Sequence, residues 1–149
     1  MKKLIFVVII FFIVSCQNKN DNKQEVVNQK VDIKNQWISP STAKANSAMF
    51  FQVINNTNQA DTLYGVKCSI DEVSMIHETF TNDDGTTGMR HVMFIEIPPN
   101  SKIEFKPGGL HVMLMNLKSD LNENDTVDVT LQFKKSGDIN IKVPVKEIY

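Results

Sequence analysis

The sequence holds little that could cross-link it. Only two cysteines occur in 149 residues, Cys16 and Cys68. Cys16 closes an N-terminal apolar run, and if it is modified on export no intramolecular disulfide is possible. The fold must then rest on its apolar core. No long stretch carries a helical period, which points away from a helical domain. No clustered basic face is present, so the sequence offers nothing to nucleic acid. Internal repeats are absent, and the one polar, low-complexity stretch lies near the N-terminus. The length suits one domain.

Lys2 and Lys3 precede an unbroken apolar run of eleven residues, 4–14. That run is within the range of a signal h-region and too short to span a bilayer. The A-x-A-like end of a plain signal peptide is missing. Instead the run ends in "IVSC", which resembles the lipobox of bacterial lipoproteins, whose cysteine becomes the acylated first residue. The expected organisation is a lipoprotein signal peptide at 1–15, a polar tether at 16–30 starting from acylated Cys16, and a folded domain at 31–149. The tether "QNKNDNKQEVVNQK" has only two aliphatic residues, Val26 and Val27, and cannot bury enough surface to fold alone. Loss of residues 1–15 removes two lysines and no acid, leaving 14 basic and 17 acidic side chains, a balance of −3.

From Val31 onward, short β-branched and aromatic runs alternate with turn residues. "AMFFQVINN", "DTLYGVKC", "EVSMIHETF", "MRHVMFIEI", "KIEFK", "LHVMLMNL", "DTVDVTLQF" and "INIKVPVKEIY" each read as a strand. This spacing predicts an all-β antiparallel sandwich or barrel. In "TVDVTLQF", Val127, Val129, Leu131 and Phe133 share one face, the mark of a half-buried strand. "NDDGTTG" lacks the spacing and terminal Glu of an EF-hand loop and reads as a hairpin turn.

The soft donors are concentrated. His77, His91 and His111 fall within 35 residues, and five of the six methionines after the start lie between 75 and 115. His111 and Met113 share a strand face because side chains alternate. The turn after Phe80 can bring Met89 back to His77. If the two segments meet, two imidazoles and two thioethers converge. Thioether sulfur is soft and suits Cu(I), and a wholly neutral set favours a +1 over a +2 cation. Carboxylate and thiolate do not recur here, so Zn(II) and Mg(II) lack their usual partners. A blue-copper site needs a thiolate beside two histidines, and Cys68 lacks the closely following His and Met; it reads as a small buried hydrophobe. Met49, Met75 and Met93 read as core, Met115 as packing beside the site, and His91 as a solvated side chain.

These residues also resemble a known family, the periplasmic PCu(A)C copper chaperones. That signature runs His, an optional Met, ten residues, Met, twenty-one residues, then His-x-Met. Here His77 is followed by Glu78 at the optional position, then by Thr79 to Gly88, Met89, Arg90 to Leu110, and His111-Val112-Met113. "AMFFQVINNTNQADTLYGV" and "GMRHVMFIEIPPNSKIEFKPGGLHVMLMNLK" are similar to the family's other blocks. The resemblance implies a cupredoxin-like, Ig-like Greek-key β-sandwich and one Cu(I) per chain on His77, Met89, His111 and Met113. It also implies delivery of copper to the dinuclear copper centre of cytochrome oxidase or another extracytoplasmic acceptor. With the lipobox, it implies an envelope protein held at a membrane by its lipid, facing the periplasm or exterior and exchanging copper with donor and acceptor proteins. Glu78 replaces the optional thioether, and no His- and Met-rich tail follows "VKEIY", so one site is expected. The rival is a lipid-anchored sandwich that binds protein or glycan without metal. An enzyme is not expected: Glu78, the one carboxylate beside a proposed ligand, would point away from His77.

Overall fold

A computed structural model describes residues 31–147. The segments expected to be a signal peptide and a tether, Cys16 among them, lie outside the described residues. Ten strands follow in order: β1 (Val31–Ile38), β2 (Ser47–Asn55), β3 (Asp61–Cys68), β4 (Val73–Thr81), β5 (Thr87–His91), β6 (Ile95–Ile97), β7 (Ser101–Phe105), β8 (Leu110–Met115), β9 (Thr126–Phe133) and β10 (Gly137–Pro144). They form two antiparallel sheets. The larger runs β1-β2-β8-β4-β5, with β7 paired to the second half of β2; the smaller runs β10-β9-β3-β6. Neighbours distant in sequence, such as β2 and β8 or β3 and β9, are what a Greek-key sandwich requires.

The core lies between the sheets and follows period two. From β9 come Val127, Val129, Leu131 and Phe133, all buried, as the alternation predicts. Opposite them the larger sheet contributes Met49 and Phe51 of β2, Ile76 of β4, and Val112 and Leu114 of β8. Phe51 stacks on Phe105 of β7 with ring centres 4.2 Å apart. Met49 is core, as expected from the sequence. Cys68 packs against the core's edge, with burial pushing its thiol above the ordinary value.

"MRHVMFIEI" is not one strand. β5 ends at His91, and β6 begins at Ile95 in the other sheet, opposite Asp61 to Leu63 of β3. Val92 still donates its N–H to the Ile76 carbonyl, after which the chain crosses between the sheets. No glycine or proline marks this break, so residue preference alone could not show it. Met93, on the crossing, is 76% exposed rather than core. Met75 is half-buried, on the side of β4 opposite to Ile76, and is not core either.

Leu114 sits fully buried on a central strand, and its replacement by Ala should cost about 2–5 kcal/mol. Met93→Ala should stay within about 0.5 kcal/mol of the parent. Urea unfolding of the two variants checks the pair of expectations.

Candidate metal centre

β8 lies between β2 and β4, and Val112 and Leu114 turn inward to the core. His111 and Met113 must therefore face the opposite side of the sheet. The chain enters β8 from the "KPGG" turn. There Gly109 N–H bonds to the Lys106 carbonyl, with Gly108 at φ 75°, a conformation that glycine adopts freely. The Gly109 carbonyl then accepts from Thr79 N–H of β4 at 3.0 Å, which ties the turn to the strand carrying His77. It also stands 3.0 Å from His111 Nδ1. A carbonyl only accepts, so Nδ1 carries the proton and Nε2 keeps its lone pair free. That is the usual way a ligating imidazole is held in one tautomer.

His77 stands directly opposite His111 in the β4–β8 ladder, with ring centres 6.0 Å apart. On its other flank it pairs with His91 of β5, at 5.9 Å. Met89 pairs with Thr79, one step diagonal to His77, and its Sδ lies 3.3 Å from His77 Nδ1. Two donors about 2.0 and 2.3 Å from one tetrahedral ion sit about 3.5 Å apart, so this contact has the separation that a shared ion demands. Met113 is opposite Met75 on β4 and Ala48 on β2, on the same face as His111. The structure therefore brings His77, Met89 and His111 to one patch, with Met113 in the adjoining row. Met115 is a further row along, opposite Val73, half-buried and outside the core.

The patch lies on the outer face of the larger sheet, beside the turn at Pro107–Gly109. It is part of a longer row of rings. Trp37 of β1 packs on Phe50 of β2 at 4.5 Å, and Phe50 lies 6.2 Å from His111. An irregularity in β1 between Lys34 and Trp37, with Asn35 at φ 54°, shifts the register and sets Trp37 opposite Phe50. Trp37, Phe50, His111, His77 and His91 thus cross all five strands of the main sheet path. The row grades from covered to open: His111 is 5% exposed, His77 half-buried and His91 exposed. Met89 is 52% exposed.

The donor set is electrically neutral. Glu78 points the other way and pairs with Arg90, Oε2 to Nη2 at 2.6 Å, so the residue at the optional-Met position is engaged elsewhere. Among the described residues no three His, Cys, Asp or Glu side chains group closely enough to hold an ion by themselves. A site here needs the thioethers. Cys68 lies on β3, its Sγ 3.9 Å from the Asp128 carbonyl of β9, in the other sheet.

Burial holds the His77 imidazole below the ordinary histidine value, and the neighbouring His111 and His91 add to this. Protonation thus costs the folded chain more than the unfolded one. The contribution of His77 to stability is complete above the unfolded pKa and lost as pH falls through the depressed folded value. An NMR titration of the metal-free protein should find its midpoint below 6.5, and His111→Gln should raise it.

The sequence predicts a solvated His91. It is exposed, yet its ring borders His77. The signal was in the hairpin: with residues 82–86 as its loop, residues 77 and 91 must pair.

The copper-bound PCuAC domain from PmoF2 superposes with a TM-score of 0.65 at 26% identity, covering 80% of this chain and 94% of that one. The solution structure of Cu(I)-DR1885 from Deinococcus radiodurans gives 0.63 at 26% identity, covering 83% and 85%. The apo PCuAC domain from PmoF1, at 24% identity and a TM-score of 0.69, shares the fold, with 80% and 95% covered. Two curated relatives match in sequence. An uncharacterised protein of Rickettsia prowazekii is 38% identical over 104 residues, 66% of this chain and 56% of its own length. A protein of Leifsonia xyli subsp. xyli that carries a lipoprotein description is 29% identical over 117 residues, 78% of this chain and 70% of its own. The family model described as "Putative lipoprotein LpqE-like" matches residues 31–145, and the chain belongs to this LpqE-like family.

Proposed function

We propose that this protein is an extracytoplasmic Cu(I) chaperone holding one ion on His77, Met89, His111 and Met113. The 3.3 Å approach of His77 Nδ1 to Met89 Sδ, beside a His111 whose Nε2 is free, carries the reading. The copper-bound and Cu(I) states of two structural neighbours support it. Two neutral nitrogens and two neutral sulfurs leave the ion's charge uncompensated, which favours Cu(I) and keeps binding free of a strong charge pair. A thiolate or a second soft site can displace such ligands one at a time. The acceptor in this proposal is the dinuclear copper centre of cytochrome oxidase or another envelope copper protein. Acylation at Cys16 and a tether over 16–30 would hold the domain, 31–149, near one membrane surface; the lipoprotein descriptions among its relatives support this. No catalytic role is proposed, because Glu78 is paired with Arg90 on the far side of the sheet.

Anaerobic titration against a chromophoric Cu(I) chelator tests the site. His111→Ala and Met113→Leu should each weaken Cu(I) by at least about 100-fold, beyond what outer-shell partners usually cost. Unchanged affinity in both variants overturns the ligand assignment. Lack of any stoichiometric Cu(I) or Ag(I) binding by the parent favours the metal-free binding module instead. Trp37 is the sole tryptophan and reaches His111 through Phe50, so its fluorescence should change with one equivalent of Ag(I). Affinity should fall as pH drops below the His77 midpoint, because protons then compete for the imidazole. Peroxide treatment should also weaken binding, since a sulfoxide replaces the thioether.

A further inference from the structure

We propose that His91 is a transfer ligand, which takes Cu(I) at the open edge of the sheet and exchanges it with the inner site through His77. This inference rests on the Cu(I) reading above. His91 flanks His77 at 5.9 Å, nearly the 6.0 Å that separates His77 from His111. His77 therefore has an equivalent imidazole on each side, one covered and one exposed. Met89 is on β5 two residues before His91, on the same face, with its sulfur against His77.

Two alternative donor sets share this centre. The outer set, His91, Met89 and His77, comes entirely from the β4–β5 hairpin. The inner set adds His111 and Met113 from β8. His91 and His111 flank His77 on opposite sides, on β5 and β8. The exposed His91 belongs to the outer set and the covered His111 to the inner one. The ion moves between the two sets. The Cu–N bond to His91 breaks as bonds to His111 and Met113 form, while His77 and Met89 stay attached. The copper remains Cu(I) throughout and no proton is transferred, since His111 Nε2 is already free. Among the described residues β5 is the edge strand of this path, and its outer flank is where a partner's donor would approach.

The test separates affinity from rate. Load the full chain, in detergent, with one equivalent of Cu(I) under anaerobic conditions. Then follow transfer to bathocuproine disulfonate by stopped flow. His91→Ala should keep Cu(I) affinity within about threefold but slow transfer by about tenfold, the lower end of what groups next to a metal ligand contribute. His91→Met, which restores a soft donor, should recover the rate, and His91→Lys should not. Equal rates in parent and His91→Ala overturn the transfer role while leaving the Cu(I) site intact. A loss of affinity in His91→Ala as large as that in His111→Ala also overturns it, because His91 is then a resident ligand. A parent chain that binds no Cu(I) overturns the underlying reading along with this one.

Discussion

The site depends on the pleat of a single strand. Val112 and Leu114 of β8 are fully buried between the sheets, and this burial fixes which way every other residue of the strand points. A slip of one residue would put His111 and Met113 in the core and two aliphatic side chains in water. The penalty for that exchange, several kcal/mol of lost apolar burial, makes the register hard to change. Because β8 is flanked by β2 and β4, its register also sets which residues meet His111: Phe50 on one side and His77 on the other.

On that fixed face the chain grades solvent access rather than charge. Phe50, backed by Trp37, adjoins one side of His111, while Met89 and His91 lie open at the edge strand. The Gly109 carbonyl links the geometry to the chemistry, since it holds the turn to β4 and the His111 proton to Nδ1. The Arg90–Glu78 pair lies on the opposite side and is exposed, so it contributes little to stability. It does keep a carboxylate out of a neutral donor set.

Much of the fold could be read in advance. β2, β3 and β9 match their apolar runs closely, because turn residues stand at both ends of each; regular alternation is added in β9 alone of the three, since a bulge between Leu63 and Gly65 interrupts β3. The β5–β6 break was not legible, since Val92 and Phe94 are good strand formers, Met93 is no turn residue, and the crossing is decided by where the second sheet offers a partner. The core expectation for Met75 and Met93 fails for a related reason. A methionine in a strand suits a core, and only the sheet's position says which face the core takes. The candidate site's place on the outer face of the sheet follows from Val112 and Leu114 taking the inner one.

Residue types and their spacing determined the all-β class, the family likeness, the hairpin that returns Met89 to His77, and the His-x-Met pair on a common face. These are local properties: alternation and turn chemistry act over a few residues. The tertiary structure alone decided that β8 lies beside β4, that His111 is covered while His91 is open, and that three imidazoles stand in line. Strand order between distant segments is set by burial of the whole core, and no short stretch of chain carries that information.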